Sequence, residues 1–217
     1  MGDGEQDFGA VWRRTPEAVR RCLGLAYEAV AAGGLAVGAV LTDAAGTVLC
    51  EGRNEAYEEG PGRGPLRGTP LAHAEMNVLG AARTGWDLGS AVLWSTQEPC
   101  AMCAAAARFT GVGEVRYLAP DPWALADGSA GQSGARPAGR AVWLVAANAL
   151  FLRSVAMAAQ GPAEPPILTH HRTAEPETAA LHDALAPGRP AAASVREWLG
   201  GLWPLVTAAA AERDGRS

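Results

Sequence analysis

The chain has 217 residues, of which 48% are hydrophobic, and a formal net charge of −5 at pH 7. This length and composition suffice for one sizeable core, or for one core with a helical appendage. The acidic balance speaks against a large polyanionic partner, because proteins that bind nucleic acid normally carry a basic surface that neutralises phosphates.

Helices and strands alternate through the first half of the chain. Apolar periodicity and turn residues predict, in order, helix 18–32, strand 35–42, strand 47–52, a helix from His73 to near Gly85, strand 91–95, helix 99–110 and strand 113–119. Strands separated by helices need crossover connections and pair in parallel, here after an initial antiparallel hairpin. We therefore predict an α/β fold, a three-layer α/β/α sandwich with a mixed five-stranded sheet.

The second half of the chain is rich in alanine and predicts mainly helices. Its segments are a flexible loop over 125–139, a mostly helical stretch over 141–160, and two further helices over 173–185 and 194–212. Residues 141–145 could instead form the fifth strand. Pro204 is expected to kink or break the last helix.

These patterns divide the chain into two parts. Residues 12–123 would form the core domain, and residues 124–217 a loop and helical C-terminal extension that packs on the core or on a second subunit. The most apolar segment, 141–152, is too short to span a membrane. We therefore expect no membrane association.

Two short motifs carry the chemistry. His73 and Glu75 form an H-x-E motif, and Cys100 and Cys103 form a C-x-x-C motif directly after Pro99. Both motifs fall where a helix should begin, and thiols at a helix N-terminus ionise more easily to the thiolates that bind metal. One imidazole and two thiolates leave the fourth position of a zinc ion to water, as catalytic zinc sites require, whereas structural sites close with four protein ligands.

Other interpretations account for the motifs only one at a time. A lone H-x-E arises often by chance, and a lone C-x-x-C is frequently structural or redox-active. A redox pair would not require the H-x-E motif. A structural zinc would need a fourth ligand, but the other cysteines, Cys22 and Cys50, lie far from the C-x-x-C motif in the sequence. His170 and His171 could form a secondary metal site, although adjacent histidines in a loop are more often solvated.

The stretch 35–123 resembles the zinc-dependent cytidine deaminase-like superfamily, whose H-x-E…P-C-x-x-C signature it carries in Leu-Ala-His-Ala-Glu and Glu-Pro-Cys-Ala-Met-Cys. The surrounding sequence is most similar to the branch that holds guanine deaminases and tRNA adenosine deaminases. The resemblance implies that His73, Cys100 and Cys103 bind Zn²⁺ and that Glu75 is the general acid/base.

The resemblance also implies a hydrolytic reaction. Zinc lowers the pKa of bound water to about 7, so that hydroxide can attack the ring carbon bearing an amine, while Glu75 moves the protons and helps ammonia leave. Asn54 is similar to the substrate-binding asparagine of the branch, and with Ala74 it is a candidate substrate contact. Trp123 could stack on the ring, although packing explains a tryptophan near a strand end equally well.

We expect the substrate to be a small aminated nucleobase or nucleoside, with a purine such as guanine or guanosine favoured by the context of Asn54. The alternatives are a cytidine, cytosine or specialised-metabolite deaminase and, less favoured, a tRNA adenosine deaminase or a non-catalytic nucleic-acid binder. The resemblance further implies a homodimer. Four cysteines, two of them in the metal motif, argue against a disulfide framework and predict a reducing, cytoplasmic location.

Overall fold

The structure is a computed structural model that describes residues 7–58, 66–128, 131–159, 163–185 and 188–216. Its elements follow in chain order as α1 (Phe8–Arg14), α2 (Glu17–Ala32), β1 (Gly38–Thr42), β2 (Val48–Arg53), α3 (Ala74–Ala81), a short 3-10 helix (Leu88–Ser90), β3 (Val92–Gln97), α4 (Ala101–Thr110), β4 (Glu114–Ala119), α5 (Pro122–Asp127), β5 (Arg136–Pro137), α6 (Ala141–Ala158), α7 (Pro166–Ala174), α8 (Pro176–Ala184) and α9 (Val195–Arg216).

The strands form one five-stranded sheet in the order β2-β1-β3-β4-β5. β1 is antiparallel to both of its neighbours, whereas β3 pairs with β4, and β4 with β5, in parallel. The sheet is therefore mixed, and the prediction of a mixed five-stranded sheet is confirmed.

The central strand β1 is buried on both faces, as a sandwich requires. Ala39 and Leu41 belong to the hydrophobic cluster that includes α3 and α4, whereas Val40 packs with residues of α2 on the opposite face. A Cβ at Gly38 would lie 2.3 Å from the carbonyl oxygen of Cys22, so only glycine lets α2 approach the strand this closely. Helices thus cover both faces, and the predicted three-layer α/β/α sandwich is confirmed.

The fifth strand differs from the one considered in the sequence. It is the two-residue β5, within the segment 125–139 that was expected to be a loop and of which 129–130 lie outside the described residues. The interpretation of 141–145 as a strand was wrong, because this segment begins the 18-residue helix α6. A short apolar run does not distinguish a buried helix from a buried strand by periodicity, and α6 is buried against α2, β4 and α9.

The length of α6 also bears on membrane association. Among the described residues, α6 is the one helix long and apolar enough to cross a membrane, and it extends beyond the segment 141–152 considered above. Two thirds of it, 67%, is buried inside the fold. Core helices of water-soluble proteins meet the same criteria of length and composition, so the finding is weak evidence for a membrane span.

Several helix boundaries also differ from the predicted ones. α3 ends at Ala81 rather than near Gly85, because Ala82 has extended backbone angles. The predicted helix 173–185 corresponds mainly to α8, which begins at Pro176, because Glu175 before this proline has non-helical angles and ends α7 at Ala174. Pro204 does not break α9, which continues to Arg216.

Candidate metal centre and active site

The two motifs lie at the N-termini of the neighbouring helices α3 and α4. His73 is the residue preceding α3, and Cys100 is the residue preceding α4. Cys103 lies in the first turn of α4 and is fully buried, whereas His73 and Cys100 are partly exposed. This arrangement brings His73 together with two cysteines that follow it by 27 and 30 residues in the sequence.

The three donor atoms have the separations that a tetrahedral zinc ion imposes. The Cys100 and Cys103 sulfurs lie 3.6 Å apart, and Nδ1 of His73 lies 3.7 Å from the first and 3.6 Å from the second. Zinc bonds of about 2.3 Å to sulfur and about 2.0–2.1 Å to nitrogen place two tetrahedral sulfur ligands about 3.8 Å apart, and a sulfur and a nitrogen about 3.5 Å apart. The residues therefore fit zinc in both chemistry and geometry.

The two cysteine sulfurs are within hydrogen-bonding distance of each other. The hydrogen bond between them, together with the one to His73, lowers the pKa of Cys100 to about 3. The same hydrogen bond and burial raise the pKa of Cys103. Zinc takes both cysteines as thiolates, so metal binding releases any thiol proton that remains.

Glu75 is a buried carboxylate in the first turn of α3, with 3% of its surface exposed. Its Oε1 accepts a hydrogen bond of 2.6 Å from the Ser95 hydroxyl on β3. Burial raises the pKa of Glu75, while the Ser95 hydrogen bond and His73 act in the opposite direction. The site thus holds a carboxyl group with raised proton affinity beside the metal ligands, as expected of a general acid/base.

A pocket of about 180 Å³ opens on the metal ligands. Its lining includes His73, Glu75 and Cys100. The pocket is smaller than the roughly 300–1,000 Å³ of drug-sized ligand sites, so a single small heterocycle suits it.

The structure places the predicted substrate contacts differently from one another. Asn54 is buried and lines the pocket, and its side-chain oxygen accepts a hydrogen bond from the Ala56 amide. Trp123 also lines the pocket, with 55% of its surface exposed. Ala74 is fully buried in the hydrophobic cluster beside β1 and is not among the lining residues, so its side chain does not contact the pocket.

Other lining residues were not singled out in the sequence. They are Leu35, Val37, Tyr57, Gln97, Glu98 and Phe151. Glu98 follows β3 directly and accepts hydrogen bonds from the Gly131 amide and the Ser133 hydroxyl, so it holds the segment before β5. The polar residues next to the C-x-x-C motif could have been found from their position at a strand end, where α/β sheets bind ligands.

Asp121 lies in the same pocket wall as Trp123. Its carboxylate accepts a hydrogen bond from the Trp123 amide and so begins α5, while burial raises the pKa of Asp121 to about 6. Both Asp121 and Trp123 line the pocket, directly after strand β4.

His170 and His171 lie on α7 and not in a loop. His171 is buried, with 1% of its surface exposed, so the interpretation of solvated histidines was wrong for this residue. The reason is that one face of α7, formed by Ile167, Leu168 and His171, packs into the fold. Within the described ranges, His73, Cys100 and Cys103 are the one group of three or more donors able to hold a metal ion, so His170 and His171 complete no second such group.

The comparison with protein families agrees with this geometry. Residues 13–119 match the family described as the cytidine and deoxycytidylate deaminase zinc-binding region. The chain belongs to the cytidine deaminase-like superfamily of zinc-dependent deaminases, and zinc is the cofactor of its His-Cys-Cys site.

Two curated proteins share about a third of their aligned residues with the chain. It is 35% identical over 106 residues to a tRNA-specific adenosine deaminase of Haemophilus influenzae, which is 48% of this chain and 57% of that protein. It is 34% identical over 114 residues to a tRNA(Ile)-lysidine synthase of Deinococcus radiodurans, which is 51% of this chain and 18% of that protein. The chain therefore spans less than two thirds of either relative.

Two solved structures are also similar. A complex with 2,6-diaminopurine has a TM-score of 0.50 and 21% identity over 70% of this chain and 86% of that one, which shows a shared fold. A guanine deaminase of Bacillus subtilis has 29% identity and a TM-score of 0.39, over 51% of this chain and 68% of that one.

Proposed function

We propose that this chain is a hydrolytic deaminase of a small aminated nucleobase or nucleoside, with a purine such as guanine or guanosine as the favoured substrate. The observation that carries the proposal is the convergence of His73, Cys100 and Cys103 beside the buried Glu75 in a pocket of about 180 Å³. A protein that merely bound a nucleobase would have no need of the buried carboxyl group.

In this proposal His73, Cys100 and Cys103 hold the metal, and Glu75 moves the protons. Zinc bound there supplies a water molecule whose pKa is lowered to about 7. Glu75 would accept one proton from water and deliver it to a ring nitrogen of the substrate. It would accept a second proton from the hydroxyl group added to the ring carbon and deliver it to the amine, which leaves as ammonia while the ring carbonyl forms. The Ser95 hydroxyl fixes the orientation of the Glu75 carboxyl group during these transfers.

The remaining pocket residues position the ring. Asn54 offers its amide group to the base or sugar, and Trp123 offers an aromatic face at the mouth. The backbone of Ala74, which does not line the pocket, is a weaker candidate for a substrate contact. Phe151 forms a buried apolar part of the pocket wall.

Charge favours a small substrate over RNA. The described lining residues include the carboxyl groups of Glu75, Glu98 and Asp121 and no arginine. Phosphate groups near such a lining would be repelled. The chain as a whole carries a net charge of −5, which also disfavours a polyanion.

A second candidate is a deaminase of adenosine in tRNA. The 35% identity to the tRNA-specific adenosine deaminase of Haemophilus influenzae supports it, and a base flipped out of RNA also enters a small pocket. Cytosine, cytidine and a specialised metabolite are further small-molecule candidates of the same reaction class.

We further propose a homodimer located in the cytoplasm. Phe109 on α4 is 92% exposed and would be available for contact with a second subunit. The four cysteines are free thiols, and two of them are metal ligands in this proposal, which suits a reducing compartment. Light scattering on the zinc-loaded protein would give its mass, and a monomer of 22.3 kDa would contradict the dimer.

Ammonia release from a panel of substrates tests the function. The panel holds guanine, guanosine, adenine, adenosine, cytosine, cytidine and a tRNA transcript, each incubated with protein of measured zinc content. We expect about one zinc ion per chain and turnover of at least one small member. Turnover of the tRNA alone would establish the second candidate instead.

Glu75→Ala separates catalysis from metal binding. This variant should keep its zinc and lose turnover, because Glu75 is not among the donors that converge on the metal. The matched control is Glu17→Ala, which removes an exposed glutamate from the first turn of α2 and should leave turnover unchanged. Full activity in Glu75→Ala, or no turnover of any panel member by the unaltered protein, would contradict the proposal.

A further inference from the structure

Gln97, the last residue of β3, is a polar side chain inside the pocket without a hydrogen-bonding partner. It is 4% exposed, and within the described parts of the chain neither its Oε1 nor its Nε2 makes a hydrogen bond, although both atoms are buried. The same residue lines the pocket that contains His73 and Glu75. Buried amide groups are nearly always hydrogen-bonded, so this one calls for an explanation.

The direction of the Gln97 side chain is fixed by the strand. Side chains alternate along β3, so Gln97 lies on the same face as Ser95, whose hydroxyl binds Glu75. Thr96, between them, points to the other face, where it accepts a hydrogen bond from the Gly38 amide. Since Gln97 pairs with Ala119 of β4 in the sheet, the strand cannot slip to turn the amide elsewhere.

The chemistry of the amide defines what it can recognise. A glutamine side chain presents an acceptor and a donor side by side, which matches a ring edge carrying a carbonyl oxygen next to an N–H. Apart from the amine that leaves, guanine-type rings and free cytosine offer such a lactam edge. The ring of adenosine offers acceptor nitrogens only.

We propose that Gln97 is a specificity-determining residue that binds the lactam edge of the substrate, so that the pocket selects aminated heterocycles that carry a ring carbonyl. This inference rests on the proposed function, because it assigns the substrate class of the same pocket. A site built to form hydrogen bonds rejects an analogue that leaves its buried polar groups unpaired.

Binding to a catalytically disabled protein tests the inference. Zinc-loaded Glu75→Ala protein, with and without Gln97→Met, is titrated by calorimetry with guanine and with 2-aminopurine, which keeps the amine of guanine and lacks its carbonyl. With Gln97 present, guanine should bind roughly 10- to 100-fold more tightly than 2-aminopurine. Gln97→Met should bring this ratio close to one, chiefly through weaker guanine binding.

Thermal unfolding separates a binding role from a structural one. Methionine has similar length and no polar group, so Gln97→Met should leave the Tm unchanged or raise it if the amide has no internal partner. The control Glu17→Met alters an exposed polar side chain outside the pocket lining and should leave the ratio of affinities unchanged. If Gln97→Met fails to fold, Gln97→Leu takes its place.

Several outcomes would overturn the inference. The first is equal affinity for guanine and 2-aminopurine in the presence of Gln97. The second is an unchanged ratio of these affinities after Gln97 is replaced. The third is a Tm lowered by many degrees in both Gln97→Met and Gln97→Leu. The proposed function fails separately, when the unaltered protein releases ammonia from no member of the substrate panel, because the titrations do not depend on turnover.

Discussion

Ser95→Ala tests whether Glu75 is the proton-transfer group of the site. The Ser95 side chain is fully buried, and its hydroxyl donates a hydrogen bond of 2.6 Å to Oε1 of Glu75. Neither residue belongs to the group of metal donors, so zinc content should stay the same in the variant. Loss of the hydroxyl frees the carboxyl group to rotate, and we expect turnover to fall.

The size of this effect follows from the hydrogen bond that the variant loses. A hydrogen bond to a charged group contributes about 1.5–3 kcal/mol, which corresponds to a loss of roughly 10- to 150-fold in kcat/KM. Removal of a general acid/base costs about 10²- to 10⁴-fold. If Ser95 acts only through Glu75, adding Ser95→Ala to Glu75→Ala should therefore cause almost no further loss.

The assay compares four proteins, namely the unaltered chain, the two single variants and the double variant, by ammonia release at matched zinc content. Ser90→Ala is the control, because it removes an exposed serine hydroxyl that also binds a carboxylate, that of Asp87, at 2.7 Å. Losses that multiply fully in the double variant would refute the reasoning, since Ser95 would then contribute independently of Glu75.

Three further predictions concern the metal, the pocket mouth and the C-terminal helices. Chelation of zinc, or Cys103→Ala, should lower the Tm because zinc binds the folded chain; a Tm unaffected by excess chelator would show that zinc adds no stability. Trp123→Ala should raise KM roughly 10-fold with little change in kcat or Tm, since the ring is 55% exposed at the pocket, whereas a lowered Tm would assign the ring to packing. Burial lowers the pKa of His171 from its ordinary value of 6.5 to about 4, so the unfolded chain binds the extra proton first as the pH falls. The free energy of unfolding should therefore decrease from pH 6.5 towards pH 4, by up to about 3 kcal/mol from this group. Urea titrations at pH 7 and pH 5 should show a smaller decrease in His171→Leu than in the unaltered chain. Equal decreases in both proteins would exclude His171 as the cause.

The metal site could be predicted from the sequence because its geometry is local. His73 and Cys100 each occupy the residue before a helix, and Cys103 follows in the next turn, so the spacing of the motifs and two helix starts fix most of the arrangement. The sheet was predictable for a similar reason, since strands β1 to β4 have clear apolar patterns bounded by turns. What the pattern left open was the mutual distance of the two motifs, which depends on the sheet.

The pocket walls could not be predicted in the same way. Phe151 comes 48 residues after Cys103 in the sequence, and it reaches the site only because α6 is a helix that packs across the sheet. The apolar run at the start of α6 fits a strand as well as a helix, so the sequence determined neither the type of this element nor the position of Phe151. The burial of His171, by contrast, had a signal, because Ile167, Leu168 and His171 share one face of a helix.

The position of Phe151 also bears on how far the substrates of relatives can be carried over. The family match covers residues 13–119 and therefore includes the metal ligands, Glu75 and Gln97, but it ends before α6. Phe151 and Leu152 of α6 nevertheless belong to the same hydrophobic cluster as Leu41 and Leu93 of the sheet. The proposed catalytic groups thus lie in the part of the chain that the family match covers, whereas one wall of the pocket lies outside that match. A pocket discriminates between substrates through all of its walls. Similarity to a relative therefore supports the type of reaction proposed for this chain more directly than it supports the identity of the substrate.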